Sequence, residues 1–587
     1  MRAVLYLFAF LVLVPAYGSP PNIVVYLADD VGIGEINQHA PEFSLIDDKA
    51  ELARMEQYPQ ARRIQTPTLE RLAREGKRFM RSYAGSSVCS PSRHSLLTGI
   101  QVGMAKTRGN GFGPNGSSDV DIEPGRSTFG EIVKSVGYAT AAFGKWGAAT
   151  GSDTSGSPCK HGFDYFFGMF AHTQIGHAFP KEIYSCRAET SGFSTHKYKN
   201  NEDSSVEKCR GEGNCTYFDF EVRAKALEYI DQASTTTPFL VYWATYAGHS
   251  ALYEQVNKFG SCHLKTHPVP SMGRYTKQAL MTTGRNTAEI RGHMAMIEYT
   301  IDEDLRLLLA KLEAKGIAEK TLIIFASDNG PHREAFKDPE YTPADIYASG
   351  GLKGIKRSTY EGGTRIPTIA WWPGTIPPNT KSHYPFMLYD IPLTIASAAG
   401  VPPNAPVLEP FKVANAGGVS LFRLMKSKRD SVVSSKTRPW VYTEICYARV
   451  GNQRDGQVCP VQWSPATGCA YALYDLKAWP KAIWKLVKNL PNAQEELYDV
   501  LNDPGEKRNR VWNRKRGAIL RRARIARANI RTPLCDIEHS TNPSCFADRC
   551  NYWKTRRGCR KAKCKHFRRK RKGYTCHSFR RRGRDLS

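Results

Sequence analysis

The sequence predicts an α/β protein: a large, mainly parallel sheet flanked by helices, then a smaller C-terminal α+β subdomain and a basic, cysteine-rich tail. Three observations lead there. Two runs of continuous apolar, β-branched residues, Asn22 to Leu27 (NIVVYL) and Thr321 to Phe325 (TLIIF), have the character of strands buried on both faces. A helical period of three and four runs from Met294 to Lys315, immediately before the second of them. The chain of 587 residues is 41% hydrophobic, enough core for one large domain or two and far more than a disulfide miniprotein needs.

Taken in order, the N-terminus carries Arg2, an apolar run from Ala3 to Val14, and small residues at Ala16 and Gly18. This is the pattern of a signal peptide over residues 1–18. The run is shorter than the ~20 residues a membrane-spanning helix needs, and no later segment is long enough. The expected location is extracellular, or lysosomal or vacuolar by way of the secretory pathway. In that compartment thiols pair, and fifteen cysteines leave one over. Acceptor sequons at Asn115-Gly116-Ser117 and Asn214-Cys215-Thr216 fit a glycoprotein.

Residues 19–385 hold the main sheet. Its two apolar strands end in Asp29-Asp30 and in Ser327-Asp328-Asn329-Gly330. Ligand sites of open α/β sheets lie at the carboxyl ends of strands, so these acidic groups, about three hundred residues apart, are expected to meet there. Another apolar strand, Phe239 to Ala244, leads into Tyr246-Ala247-Gly248-His249. Stretches 375–385 and 402–417 have loop composition, and residues 386–510 form the subdomain, with short strands between Ala482 and Asp499.

The net charge of +28 is unevenly placed. Val511 to Ser587 carries 25 Lys and Arg against 4 Asp and Glu, a balance of +21, which leaves +7 for the first 510 residues. Within this tail, Arg514 to Arg531 is a basic helix bearing Ile519, Leu520 and Ile525, and six cysteines from Cys535 to Cys576 follow as a stapled module. The run Arg568-Arg569-Lys570-Arg571-Lys572 suits a polyanion, and outside the cell that means sulfated polysaccharide.

The most specific segment is Cys89-Ser90-Pro91-Ser92-Arg93, followed by Leu97-Thr98-Gly99. Pro91 suits the first turn of a helix, which puts Cys89 at the helix N-terminus, where backbone N–H groups favour anions. Half of a disulfide is the competing reading for Cys89, but removing it from fifteen leaves an even set.

These residues resemble the signature of the sulfatase family, C-x-P-S-R followed by L-T-G. The resemblance extends over about residues 21 to 510, through Gly144-Lys145-Trp146, Gly162-Phe163-Asp164, Lys356 with Tyr360-Glu361-Gly362-Gly363, Trp372-Pro373-Gly374 and Glu496-Leu497-Tyr498-Asp499. It implies an alkaline phosphatase-like fold and hydrolysis of sulfate esters. It also implies a formylglycine made from Cys89 by a formylglycine-generating enzyme during secretion, and one Ca²⁺ held by Asp29, Asp30, Asp328, Asn329 and an oxygen of residue 89. Arg93, Lys145, His249 and Lys356 match the cationic positions: Arg93 and Lys145 steady the hydrated aldehyde, while His249 and Lys356 bind sulfate and protonate the departing oxygen.

One position departs from the pattern. The family usually has histidine two residues after the lysine of the GKW motif, as base for the elimination step, and here it is Gly147. His172 and His177 lie nearby in sequence and are candidates to supply it. The alternatives to a sulfuric ester hydrolase are a phosphonate or phosphate monoester hydrolase of the same superfamily, and a secreted polyanion-binding protein on an impaired sulfatase scaffold.

Overall fold

The computed structural model describes residues 20–56, 64–110, 121–123, 125–150, 155–171, 178–190, 192–201, 215–249, 251–252, 264–265, 273–275, 288–332, 346–411, 417–446, 469–489, 493–513, 516–537, 568–570 and 573–575. The predicted signal segment, both sequons' asparagines, His172, His177 and most of the tail beyond Ile537 lie outside the described residues.

The main sheet comprises β1 (Asn22–Ala28), β2 (Lys77–Phe79), β3 (Ala139–Lys145), β4 (Tyr165–Met169), β5 (Glu182–Arg187), β6 (Ser194–Lys197), β7 (Phe239–Ala244), β8 (Thr321–Ser327), β9 (Thr368–Trp371) and β10 (Thr380–Ser382). Among the described residues its order is β10-β2-β9-β8-β1-β7-β3-β4-β5-β6. The five central strands, β8, β1, β7, β3 and β4, are mutually parallel, as the buried apolar runs predict. The edges differ: β9 runs antiparallel to β8, and β5 antiparallel to β4, so the sheet is mixed.

Alternation along β1 divides the core. Ile23, Val25 and Leu27 enter one apolar layer with the helices α1 (Cys89–Thr98) and α5 (Ile391–Ala398), while Val24, Tyr26 and Ala28 enter the other with α2 (Phe218–Gln232), α3 (Ala288–Met296) and α4 (Glu303–Ala314). The helix expected from Met294 to Lys315 is instead α3 and α4 joined by a π turn, Ile297–Asp302. Asp302 at its end accepts from the Thr68 and Leu69 backbone N–H groups at 3.0 and 2.8 Å, capping the helix Pro67–Glu75 across the layer.

A second, antiparallel sheet contains β11 (Trp440–Ile445), β12 (Ala470–Asp475), β13 (Trp484–Lys488) and β14 (Glu496–Asp499) in that order. The basic helix forms as α6 (Gly517–Ile537), and its first turns pack on this sheet rather than standing off as tail. Ile519, Ala523 and Ala526 are its buried face, whereas Ile525 is 43% exposed. Arginines complete the attachment: Arg522 pairs with Asp475 at 2.9 Å, and the Arg527 guanidinium lies 3.8 Å from the Tyr471 ring centroid.

The second sheet joins the first through buried charge. Lys485 Nζ lies 3.0 Å from both Glu361 Oε1 and Glu506 Oε1, the Glu361 N–H donates to Glu506 at 2.7 Å, and Tyr83 and Tyr474 hydroxyls donate to Glu361. Burial, opposed by Lys485 and reinforced by Glu361, pushes the Glu506 carboxyl up to about 7. A carboxyl raised in the folded state contributes stability that is fully present below its unfolded value of ~4.3 and is lost as pH climbs through 7. Glu506→Gln cannot ionise, so its melting temperature relative to the parent should rise between pH 5 and pH 8; parallel curves would show that Glu506 is ionised throughout.

Candidate active site

The site forms where the parallel strands end. Register Ala28↔Ser327 between β1 and β8 brings Asp29-Asp30 beside Asp328-Asn329, as the acidic strand ends predict. The Asp30 N–H donates to Asp328 Oδ1 at 3.1 Å, and the Val31 N–H to Ser327 Oγ at 2.9 Å. Asp30 itself is left-handed (φ 60°), a conformation aspartate tolerates better than bulkier residues.

Helix α1 begins at Cys89, with Pro91 in its first turn, and all ten of its residues are buried. Cys89 Sγ is 3.5 Å from Asp29 Oδ1 and 3.9 Å from Asp30 Oδ1. Among the described cysteines it is free, while Cys159–Cys186 and Cys446–Cys469 are disulfides. Burial pushes the Cys89 thiol well up, with the lysines opposing. The unmodified side chain is therefore a protonated thiol and a poor nucleophile.

Each cation arrives from a different strand end or loop. Lys145 closes β3 and donates to Asp29 Oδ2 at 2.5 Å. Arg93, one turn into α1, donates from Nε to Asp328 Oδ2 at 2.9 Å and from Nη1 to the Lys145 carbonyl at 2.8 Å. Lys356 donates to Asp30 Oδ2 at 2.6 Å and lies 3.0 Å from His249 Nε2. The loop carrying His249 crosses the end of β1 so closely that a Cβ on Gly248 (φ 107°) would sit 1.9 Å from the Asp29 carbonyl oxygen. Only glycine allows that crossing.

The electrostatics follow from these pairs. Burial alone would raise the Asp29 carboxyl, but Lys145 and Arg93 hold it well below the usual carboxylate range. Burial and then the charge of Asp29 push Asp328 up in spite of Arg93. Burial lowers Lys145, but Asp29 outweighs it and the ammonium is held charged.

Asp29, Asp30, Cys89, Arg93, Lys145, His249, Asp328, Asn329 and Lys356 are brought to this one place, while the candidates His172 and His177 lie outside the described residues. Ligand atoms of Asp29, Asp30, Cys89 and His249 lie within 4.8 Å of one another. Asn329 Nδ2 donates to Asp30 Oδ1 at 2.6 Å, while its buried Oδ1 accepts no hydrogen bond among the described residues. Three carboxylates and an orphaned amide oxygen are the donor set of a hard divalent cation.

Sequence reasoning missed a buried array behind His249. His332 stacks on it with ring centroids 6.0 Å apart, His293 meets His332 edge-on at 5.8 Å, and His293 Nε2 lies 2.5 Å from Glu35 Oε1. The available signal was position: His332 is three residues past Asn329 in the same strand-end turn.

Residues 21–401 match the family model for sulfatases, and the chain belongs to the sulfatase family. N-acetylgalactosamine-6-sulfatase of Sus scrofa is 30% identical over 398 residues, covering 66% of this chain and 63% of that one. Arylsulfatase G of Rattus norvegicus is 27% identical over 402 residues, covering 65% and 66%. The chain spans about 63 to 65% of the length of the N-acetylgalactosamine-6-sulfatases it matches. In fold it is similar to PsFucS1 sulfatase from Pseudoalteromonas sp. (TM-score 0.57, 21% identity, covering 87% of this chain and 91% of that one). It is also similar to BT4656 in complex with D-glucosamine-2-N,6-O-disulfate (TM-score 0.56, 16% identity, covering 89% and 99%).

Gly147 is left-handed (φ 67°), and a Cβ there would stand 3.0 Å from Arg93 Cδ. Gly147→Ala should therefore cost about 1–2 kcal/mol of backbone strain, read as a shift in denaturation midpoint, and should lower activity as Arg93 is displaced. An unchanged midpoint would show that the turn relaxes freely.

Proposed function

We propose that this chain is a sulfuric ester hydrolase acting on sulfated glycans after secretion, with formylglycine made from Cys89 and one Ca²⁺. The observation that carries the reading is a free, buried cysteine at a helix N-terminus, set between carboxylates and lysines, inside the family signature. The glycan substrate is supported by relatives whose names specify sulfated sugars.

A formylglycine at position 89 would supply an oxygen nucleophile, and a Ca²⁺ held by Asp29, Asp30, Asp328 and Asn329 would supply positive charge to an anionic ester. The chain's own residues do the rest. Lys145 and Arg93, fixed by Asp29 and Asp328, orient the substituent of residue 89 and offset charge that develops on it. Lys356 and His249 share one hydrogen bond, which supports the pair as donor of a proton to the departing ester oxygen and as cation for the sulfate. Asp29, Asp30, Asp328 and Asn329 are the proposed Ca²⁺ ligands.

Gly147 brings no base. Its N–H donates at 3.1 Å to the carbonyl of Phe170, two residues before His172, which favours His172 over His177 as the replacement. The same glycine supports a second reading, a polyanion-binding protein on a catalytically impaired scaffold, with the basic tail as the binding element.

Ca²⁺ added to chelator-stripped protein should stabilise it by about 2.7 kcal/mol at a hundredfold excess over Kd, and Asn329→Ala should shrink that shift. Equal shifts with Mg²⁺ would argue against Ca²⁺. In a time course of aryl sulfate hydrolysis, sustained turnover absent from Cys89→Ala establishes the hydrolase. A burst that stalls in His172→Ala identifies that residue as the base, and no product from the parent favours the binding scaffold.

A further inference from the structure

At the outer end of the second sheet lies a cleft of ≈260 Å³ whose walls include Trp484, Asp499, Asp503, Arg508, Arg510 and Arg516. The three arginines make no ion pair among the described residues. Their neighbours differ: Lys507 pairs with Glu51 at 3.2 Å and Arg522 with Asp475 at 2.9 Å. The Arg516 guanidinium carbon lies 4.5 Å from the Trp484 ring centroid, and a guanidinium on an aromatic ring keeps N–H donors for an anion.

The two carboxylates in the walls already accept hydrogen bonds. Asp503 accepts from the Lys507 and Arg508 N–H groups at 3.0 and 2.8 Å, and Asp499 from Ile483 N–H and Asn502 Nδ2 at 3.3 and 2.9 Å. Trp512, next in sequence to the wall residue Asn513 but not itself a wall of the cleft, is 81% exposed, the most exposed of the large apolar side chains described.

We infer that this cleft is a binding site for one sulfated sugar unit of a glycan chain, separate from the hydrolytic site. Unpaired arginines take sulfate oxygens bidentately, carboxylates accept from ring hydroxyls, and an exposed indole covers the apolar face of a sugar ring. Carboxylates beside the arginines disfavour a nucleic acid, whose backbone offers them phosphates and few hydroxyls. The inference rests on the glycan reading above.

Position links the two sites. The cleft is at Asp499, the last residue of β14, and Glu496, its first residue, accepts from Tyr360 at 2.7 Å and Lys353 at 3.4 Å, which bracket Lys356. Three residues of strand span ~10 Å. A chain held in the cleft is therefore concentrated at the hydrolytic site.

The test uses the full chain with a heparin-derived hexasaccharide at physiological ionic strength. Trp512→Ala removes no charge, so its effect is not the electrostatic retention expected of the run Arg568 to Lys572. It should weaken binding about tenfold, and Arg508→Ala with Arg510→Ala by at least as much. KM for the polymeric sulfated substrate should rise about tenfold with kcat held, while aryl sulfate kinetics stay unchanged. Unaltered hexasaccharide affinity in both variants overturns the inference, as does an equal loss of oligo(dT) binding in Trp512→Ala. If no sulfate ester is hydrolysed by the parent yet the variants lose the hexasaccharide, the hydrolase reading fails and the cleft stands.

Discussion

Three carboxylates and three fixed cations share a volume from which water is excluded. Asp29, Asp30 and Asp328 are 0% exposed, and so are Arg93 and Lys145, with Lys356 at 5%. Burying any one of these charges alone would cost several kcal/mol. They persist because each is paired, and the pairs run between elements far apart in sequence: β1 to β3, α1 to β8, and the loop after β8 back to β1. Breaking one pair leaves an uncompensated buried charge, which costs more than the pair itself contributes. Strand register, the start of α1 and the crossing at Gly248 are thus held to the geometry that keeps these six groups neutral together.

That constraint also suits chemistry. A site whose cations are fixed by carboxylates need not reorganise when an anionic ester enters, and the low local dielectric strengthens each contact with the charge that develops. The burial that pairs these charges also pushes the Cys89 thiol well up, so the unmodified side chain stays a protonated thiol.

Much of this was legible in the sequence, for identifiable reasons. Strands buried on both faces are apolar at every position, so β1 and β8 declared themselves, and the acids that end them marked the site. The antiparallel edges did not: β2 is the three residues Lys77, Arg78 and Phe79, whose charged side chains read as surface yet are buried, Arg78 donating to the Glu42 carbonyl at 2.7 Å. The π turn carries no mark in the helical period, and the contact at its end, Asp302 capping a helix more than two hundred residues away, is tertiary. On α6, Ile519 and Leu520 pack on the sheet beside Ala523 and Ala526, but Ile525 faces water, a division that no feature of the sequence marks. His332 carried no periodic or motif signal at all.

The second sheet is part of the site rather than an appendage to it. Ser86 and Thr443 hydroxyls donate to the Glu444 and Gly85 carbonyls at 2.7 and 2.9 Å, tying β11 to the turn before Cys89. Val88, immediately before Cys89, packs on Ile445 and Ala470. On the other flank the Arg357 N–H donates to the Ser87 carbonyl at 2.7 Å, and the loop that holds Lys356 leans on Glu496 of β14. The turn before Cys89 and the loop that holds Lys356 therefore rest on strands of one small sheet. Loss of that sheet would strip the outer support from both sides of the site, leaving the Arg357–Ser87 bond and the Lys356–Asp30 pair to hold them together. The cluster assembled from residues 29 to 356 is therefore buttressed by a chain that continues well beyond them.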